Sequence, residues 1–93
     1  MIVKIDKSFK KDTNKIKNKL LLKKIADCIE NVQTSKSIDK IKSLKKLKGC
    51  SKEYRIRVGD YRLGLIIDNE IIEFIRCLHR KDIYKYFVKI IIS

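Results

Sequence analysis

Residues 53–87 read EYRIRVGDYRLGLIIDNEIIEFIRCLHRKDIYKYF, and their patterning decides the fold. Tyr54, Ile56 and Val58 take one parity and Arg55 and Arg57 the other, the period of a half-buried strand. Gly59-Asp60 supplies a turn, because glycine tolerates positive φ and aspartate can hydrogen-bond its own backbone. A two-residue loop there sets Val58 opposite Tyr61, Arg57 opposite Arg62 and Ile56 opposite Leu63. Arg55, Arg57 and Arg62 then share one face. Like charges directly across strands destabilise a sheet. Such a face is either a solvated edge of a basic protein or a surface for polyanions, whose phosphate oxygens match the guanidinium fork.

A second hairpin follows. Leu63 to Ile67 and Ile71 to Leu78 are rich in β-branched and apolar residues, and Asp68-Asn69-Glu70 holds the turn between them. With a two-residue turn, whether Asp68-Asn69 or Asn69-Glu70, the positions Ile71, Glu73, Ile75, Cys77 and His79 share the face of Arg62. His79 then projects toward the arginines; a three-residue loop reverses the parity. Glu73 shares that face and would pair with Arg76 or a neighbouring arginine.

Outward from this stretch, Ile2, Val3 and Ile5 mark a short first strand. Ser8 is a candidate cap for a short helix to Ile16, with Asp12 suited to the helix dipole. Asn14 or Asn18 breaks the chain, after which Leu20, Leu21, Ile25, Cys28, Ile29 and Val32 follow helical spacing to about Gln33. A helical hairpin laying one stripe on the sheet is expected. Residues 38–49, IDKIKSLKKLKG, read either as a short helix or as an irregular crossing anchored by Leu47 and ended by Gly49. After His79, Arg80 to Phe87 suits a short helix that sets Ile83 with Phe87 on one side and Arg80 with Tyr84 on another. Val88 to Ile92 extends that helix or forms an edge strand.

The 93 residues suffice for one domain, spanning 1–93, with a single modest core. The net charge of +13 favours nucleic acid, an anionic membrane or an acidic protein as partner. Residues 1–51 carry 15 lysines against 5 acids, +10 of that total, so most of the excess lies on the helical part. Cys28, Cys50 and Cys77 lack CxxC spacing and read as reduced thiols. One histidine and scattered cysteines argue against a zinc site, and neither metal nor cofactor is expected. No apolar run reaches membrane-spanning length and no targeting segment is visible, so no membrane association and a cytoplasmic location are expected.

The combination of KLKG at Lys46 to Gly49, YRIRVGDYRL at Tyr54 to Leu63 and HRKDIY at His79 to Tyr84 strongly resembles the RelE side of the RelE/ParE toxin superfamily. The likeness runs in order along nearly the whole chain. It implies an α+β fold: an N-terminal strand and helical hairpin packed on a small twisted antiparallel sheet, with a short C-terminal helix. It also implies the toxin of a type II toxin–antitoxin pair, a metal-independent endoribonuclease acting on mRNA, typically in the ribosomal A site. Its partners would be mRNA, the ribosome and an acidic antitoxin like RelB, docking on the lysine-rich helices and Ile90 to Ile92.

Such cleavage needs the 2′-OH to attack the adjacent phosphate, with a base, cations for the phosphorane and an acid for the leaving oxygen. The resemblance carries Arg62 and Arg80 over as phosphate stabilisers and Tyr84 as a stacking or proton-transfer residue, with Tyr86 a competitor. It carries Arg55 and Arg57 over as contacts to the RNA backbone, and Lys48, Lys52 and Lys81 join them as RNA-binding candidates. His79 is a further catalytic candidate, since imidazole titrates near neutrality. Two other readings stand beside this one: a ParE-like inhibitor of DNA gyrase without a hydrolytic site, and a plain RNA-binding module or inactivated toxin whose arginines only hold phosphate.

Overall fold

A computed structural model describes the backbone of residues 1–92 and the side-chain surroundings of residues 1–87. Five strands form one sheet in the order β1-β5-β4-β3-β2, with β1 at Ile2–Ile5, β2 at Leu44–Lys46, β3 at Glu53–Val58, β4 at Tyr61–Asp68 and β5 at Ile71–His79. Helices α1 (Lys7–Asn14) and α2 (Lys19–Thr34) pack on one face, and α3 (Ile83–Ile92) lies on the other. The sheet is mixed, not purely antiparallel, because β1 joins β5 in parallel. The long stretch of chain between these two strands leaves their relative direction free, unlike a tight hairpin.

Both hairpins turn in two residues. Val58 faces Tyr61, Arg57 faces Arg62 and Ile56 faces Leu63, as the alternation predicts. The second turn is Asn69-Glu70, since Asp68 pairs with Ile71. Gly59 and Asn69 both take left-handed φ, +58° and +57°, the conformation that glycine and asparagine tolerate best.

The β4–β5 ladder then slips. Leu65 pairs with Phe74 but Gly64 pairs with Arg76, so β5 carries one extra residue in a β-bulge. One residue reverses the parity of everything beyond it. Ile71, Glu73 and Ile75 share the face of Arg62 as expected, whereas Leu78 takes the place opposite Arg62, and Cys77 and His79 turn to the helix side opposite Leu63 and Tyr61.

The main core lies between the sheet and α1–α2, where Phe9, Ile25 and Val32 meet Ile56, Leu63, Leu65, Ile72 and Phe74. The Phe9 and Phe74 rings pack edge to face at 5.5 Å. A smaller cluster of Leu47, Ile83 and Phe87, flanked by Ile75 and Leu78, holds α3 and the Leu47 anchor on the opposite face. Gly64 makes that contact possible: a Cβ there would come within 2.9 Å of the Phe87 ring.

Where β1 ends, α1 takes over the edge of β5. Asp6, not Ser8, caps α1, its carboxylate accepting from the Ser8 N–H at 3.0 Å, and the Ser8 hydroxyl lies between Asp6 and the Ile75 carbonyl. Asp12 is buried and accepts from Arg76 Nε at 2.7 Å, Arg76 Nη2 at 3.1 Å and the Cys77 N–H at 2.9 Å. The partner of Arg76 is therefore Asp12 and not Glu73, because the bulge turns Arg76 toward the edge that α1 occupies. Asn18 caps α2 through the Leu21 N–H. Residues 38–49 split into a 3-10 turn at Ile38–Lys40 and strand β2, which the non-alternating Leu44-Lys45-Lys46-Leu47 does not announce. Val88 to Ile92 continues α3, while the docking surface expected at Ile90 to Ile92 lies outside the described side chains.

Burial pushes the Cys28 thiol up to about 11, and burial together with the Asp12 carboxylate pushes Cys77 up to about 12, so both remain protonated at neutral pH. No described helix is long and apolar enough to cross a membrane.

Candidate active site

The β3–β4 turn builds the site. Arg62 Nη1 donates to the carbonyls of Gly59 and Tyr61, each at 3.0 Å, and the Arg80 backbone N–H donates to the Asp60 carbonyl at 2.7 Å. Three consecutive carbonyls thus tie the two arginines from β4 and the end of β5 to one turn. A β-turn is a stiff support, so Arg62 is held in place before any ligand arrives.

Around it stand further cations. Desolvation lowers the Arg62 pKa from its ordinary value, and the nearby charges of Arg55, Arg57 and Arg80 lower it further, against the opposite influence of Tyr84. Arg55, Arg57 and Arg62 share the α3 face of the sheet by register, and Arg80 and Tyr84 beyond β5 are near enough for their charges to act on Arg62. Among the described residues, the buried Nε of Arg55 has no hydrogen-bond partner, a donor that an anion would satisfy. Such crowding of like charges raises the energy of the free protein and lowers that of a bound polyanion.

Other candidates lie elsewhere. His79 is not on the arginine face: the bulge places it opposite Tyr61, whose ring it meets edge to face at 5.7 Å. Lys52 sits at the far end of the hairpin, paired with Asp68 at 3.1 Å. Lys48 is exposed in the loop between β2 and β3, and Lys81 is exposed in the turn before α3, its N–H donating to His79 Nδ1 at 3.2 Å. Tyr84 and Tyr86 separate cleanly. Tyr84 bears on Arg62, whereas Tyr86 bears on Arg76 at the other side of β5. Arg80 precedes α3, so it does not share a helical face with Tyr84.

Lys45 escaped the reading of the sequence. In register with Arg55 across β2 and β3, it extends the basic row on the same face. Its only sequence signal is its place in a lysine-rich run, which marks no strand.

This chain belongs to the ParE/RelE family of toxins from type II toxin–antitoxin systems: residues 3–84 match the family described as the ParE toxin of the type II toxin–antitoxin system parDE. Among individual proteins it is similar to toxin RelE3 of Methanocaldococcus jannaschii, 43% identical over 88 residues that cover 94% of this chain and 99% of that one. A chain in the crystal structure of the RelB–RelE antitoxin–toxin complex from Methanococcus jannaschii superposes with a TM-score of 0.76 at 41% identity, covering 90% of this chain and 98% of that one. The fold recurs in the archaeal RelE–RelB complex from Pyrococcus horikoshii, with a TM-score of 0.69 at 22% identity over 85% of this chain and 93% of that one.

Proposed function

We propose that this toxin is an endoribonuclease that cuts mRNA in the ribosomal A site and so stops translation. The observation that carries the reading is the pair Arg62 and Arg80, tied to one turn and surrounded by Arg55, Arg57 and Tyr84. In the reaction the 2′-oxygen attacks the adjacent phosphorus as its proton passes to water, and the bond from phosphorus to the 5′-oxygen breaks. That oxygen takes a proton from water or the Tyr84 phenol, which water re-protonates, leaving a 2′,3′-cyclic phosphate and a 5′-hydroxyl. Arg62 stabilises the extra negative charge of the phosphorane, and its fixed position means little reorganisation is needed as the charge develops. Arg80, its backbone tied to the same turn, neutralises charge on the leaving oxygen. Tyr84, 57% exposed at the start of α3, supplies a phenol for proton transfer or a ring for a base. Arg55, Arg57 and Lys45 hold the flanking phosphates. His79 has no role at the phosphate in this scheme, because the bulge turns it away.

The natural partner is an acidic antitoxin, by analogy with the RelB that accompanies RelE in the related complexes. A disordered acidic segment folding across the +13 chain would neutralise the arginine face and exclude RNA.

Expression in a cell-free translation system, with primer extension on the message, tests the activity. Cuts within codons are expected for the wild type, with strong loss in Arg62→Ala and Arg80→Ala and partial loss in Tyr84→Phe. The match to the ParE family model favours a second reading, inhibition of DNA gyrase. Intact messages together with blocked supercoiling would establish it and remove the nuclease.

A further inference from the structure

We infer that the cavity at the end of β5 is a nucleobase subsite that takes a base carrying an exocyclic amino group. The inference rests on the RNA-cleavage reading. The cavity, of about 390 Å³, lies on the side of β5 away from the arginines, and Tyr61, His79, Asp82 and Tyr86 line it with the Asp12–Arg76 pair.

Position comes first. His79 and Arg80 are consecutive, with Cα atoms about 3.8 Å apart, yet they serve different sides of the sheet. Arg80 bears on Arg62, while His79 packs against Tyr61. A nucleotide with its phosphate at Arg62 and Arg80 therefore carries its base to the rim of the cavity.

The walls suit a base. Tyr61, His79 and Tyr86 offer flat π-faces and edges, on which any base can stack. The Asp12 carboxylate is already held by Arg76 and the Cys77 N–H, so that wall is rigid and electrically settled.

Asp82 supplies the selectivity. The ion pairs among the described residues are Lys52–Asp68 and Arg76–Asp12, so the half-buried Asp82 carboxylate belongs to neither. Lys15 and Arg76 also line the cavity, but Arg76 is taken up by Asp12, so the Asp82 carboxylate remains a negative acceptor that disfavours a phosphate at its wall and leaves that wall to the base. Ionised, it only accepts hydrogen bonds. Adenine, cytosine and guanine each present an amino group to it. Uracil flanks its one ring N–H with two carbonyl oxygens, which a carboxylate repels.

The test titrates AMP, CMP, GMP, UMP and ribose 5-phosphate into the full-length protein and follows the His79 and Tyr61 ring resonances by NMR. The three amino-bearing nucleotides should shift both rings saturably, with UMP about ten-fold weaker, the effect of one good hydrogen bond to a charged group. Asp82→Asn should erase the preference and retain binding. Equal affinity for all four nucleotides, an equal effect of ribose 5-phosphate, or shifts confined to Arg62 and Arg80 would overturn the subsite. Primer extension separates the two ideas. Cut messages without a base-dependent response at His79 remove the subsite and leave the activity. Uncut messages with such a response retain the subsite and remove the activity.

Discussion

At Arg62 the backbone of a turn does what a partner carboxylate would do elsewhere. Its guanidinium is fixed by the carbonyls of Gly59 and Tyr61, which hold it without neutralising it. A carboxylate partner would have cancelled the charge a phosphate needs. Arg62→Ala should lower the rate of message cleavage by about 10²–10³, the usual loss for a preorganised group at a developing charge. Arg62→Lys should recover little, because an ammonium cannot reach two carbonyls and a phosphate in the same fork. Asp12 shows the opposite arrangement, a buried carboxylate that neutralises Arg76 and satisfies the Cys77 N–H. Asp12→Ala should cost about 2 kcal/mol in urea unfolding, since it strands a buried N–H and a guanidinium. Asp12→Asn should cost less, because its amide oxygen still accepts from Cys77.

Elements meet through contacts this small. Helix α3 seats on the sheet where Gly64 leaves room for Phe87, which is fully buried. In Gly64→Ala the new methyl meets the ring at 2.9 Å, and the ring cannot yield without moving α3. A loss of about 1–3 kcal/mol is expected from such overpacking. Limited proteolysis should then cut near α3 first, with activity falling as Tyr84 leaves Arg62. At the other end of the chain, the two Ser8 hydrogen bonds, side chain first and then backbone, hold the Asp6 carboxyl below its ordinary value of 3.8. A group depressed in the folded state contributes stability above its unfolded value and loses it as pH falls through the folded one. The anchoring of α1 should therefore weaken below about pH 4, and Asp6→Asn should flatten that part of the pH–stability curve measured by circular dichroism.

For the whole molecule, the charge is divided between a diffuse lysine field on the N-terminal part and a focused arginine site on the sheet. Under the proposed function the first would steer RNA from a distance and the second would grip it. If Arg55, Arg57, Arg62 and Arg80 each neutralise one phosphate, log K for a short single-stranded RNA should fall with log salt at a slope of about −3. Removing two of the four should halve the slope. A slope unchanged by those substitutions would place the RNA on the lysines instead.

The hairpins, the common face of Arg55, Arg57 and Arg62, the two N-terminal helices and the Leu47 anchor were legible because each follows from local periodicity or turn chemistry. Strand β2 was not, because Leu44-Lys45-Lys46-Leu47 does not alternate and pairs only because β3 offers an edge. The bulge was not legible either, and it decided most. It reversed the parity of β5 after Ile75, took His79 off the arginine face and turned Arg76 toward Asp12, 64 residues away. Patterning within a segment determines which residues alternate and where the chain turns. The register of one strand against its neighbour is settled by packing between distant segments, here α1 on the edge of β5 and Phe87 on Gly64. A single slipped residue there separates a histidine on the arginine face from a histidine packed against Tyr61 in a cavity on the other side.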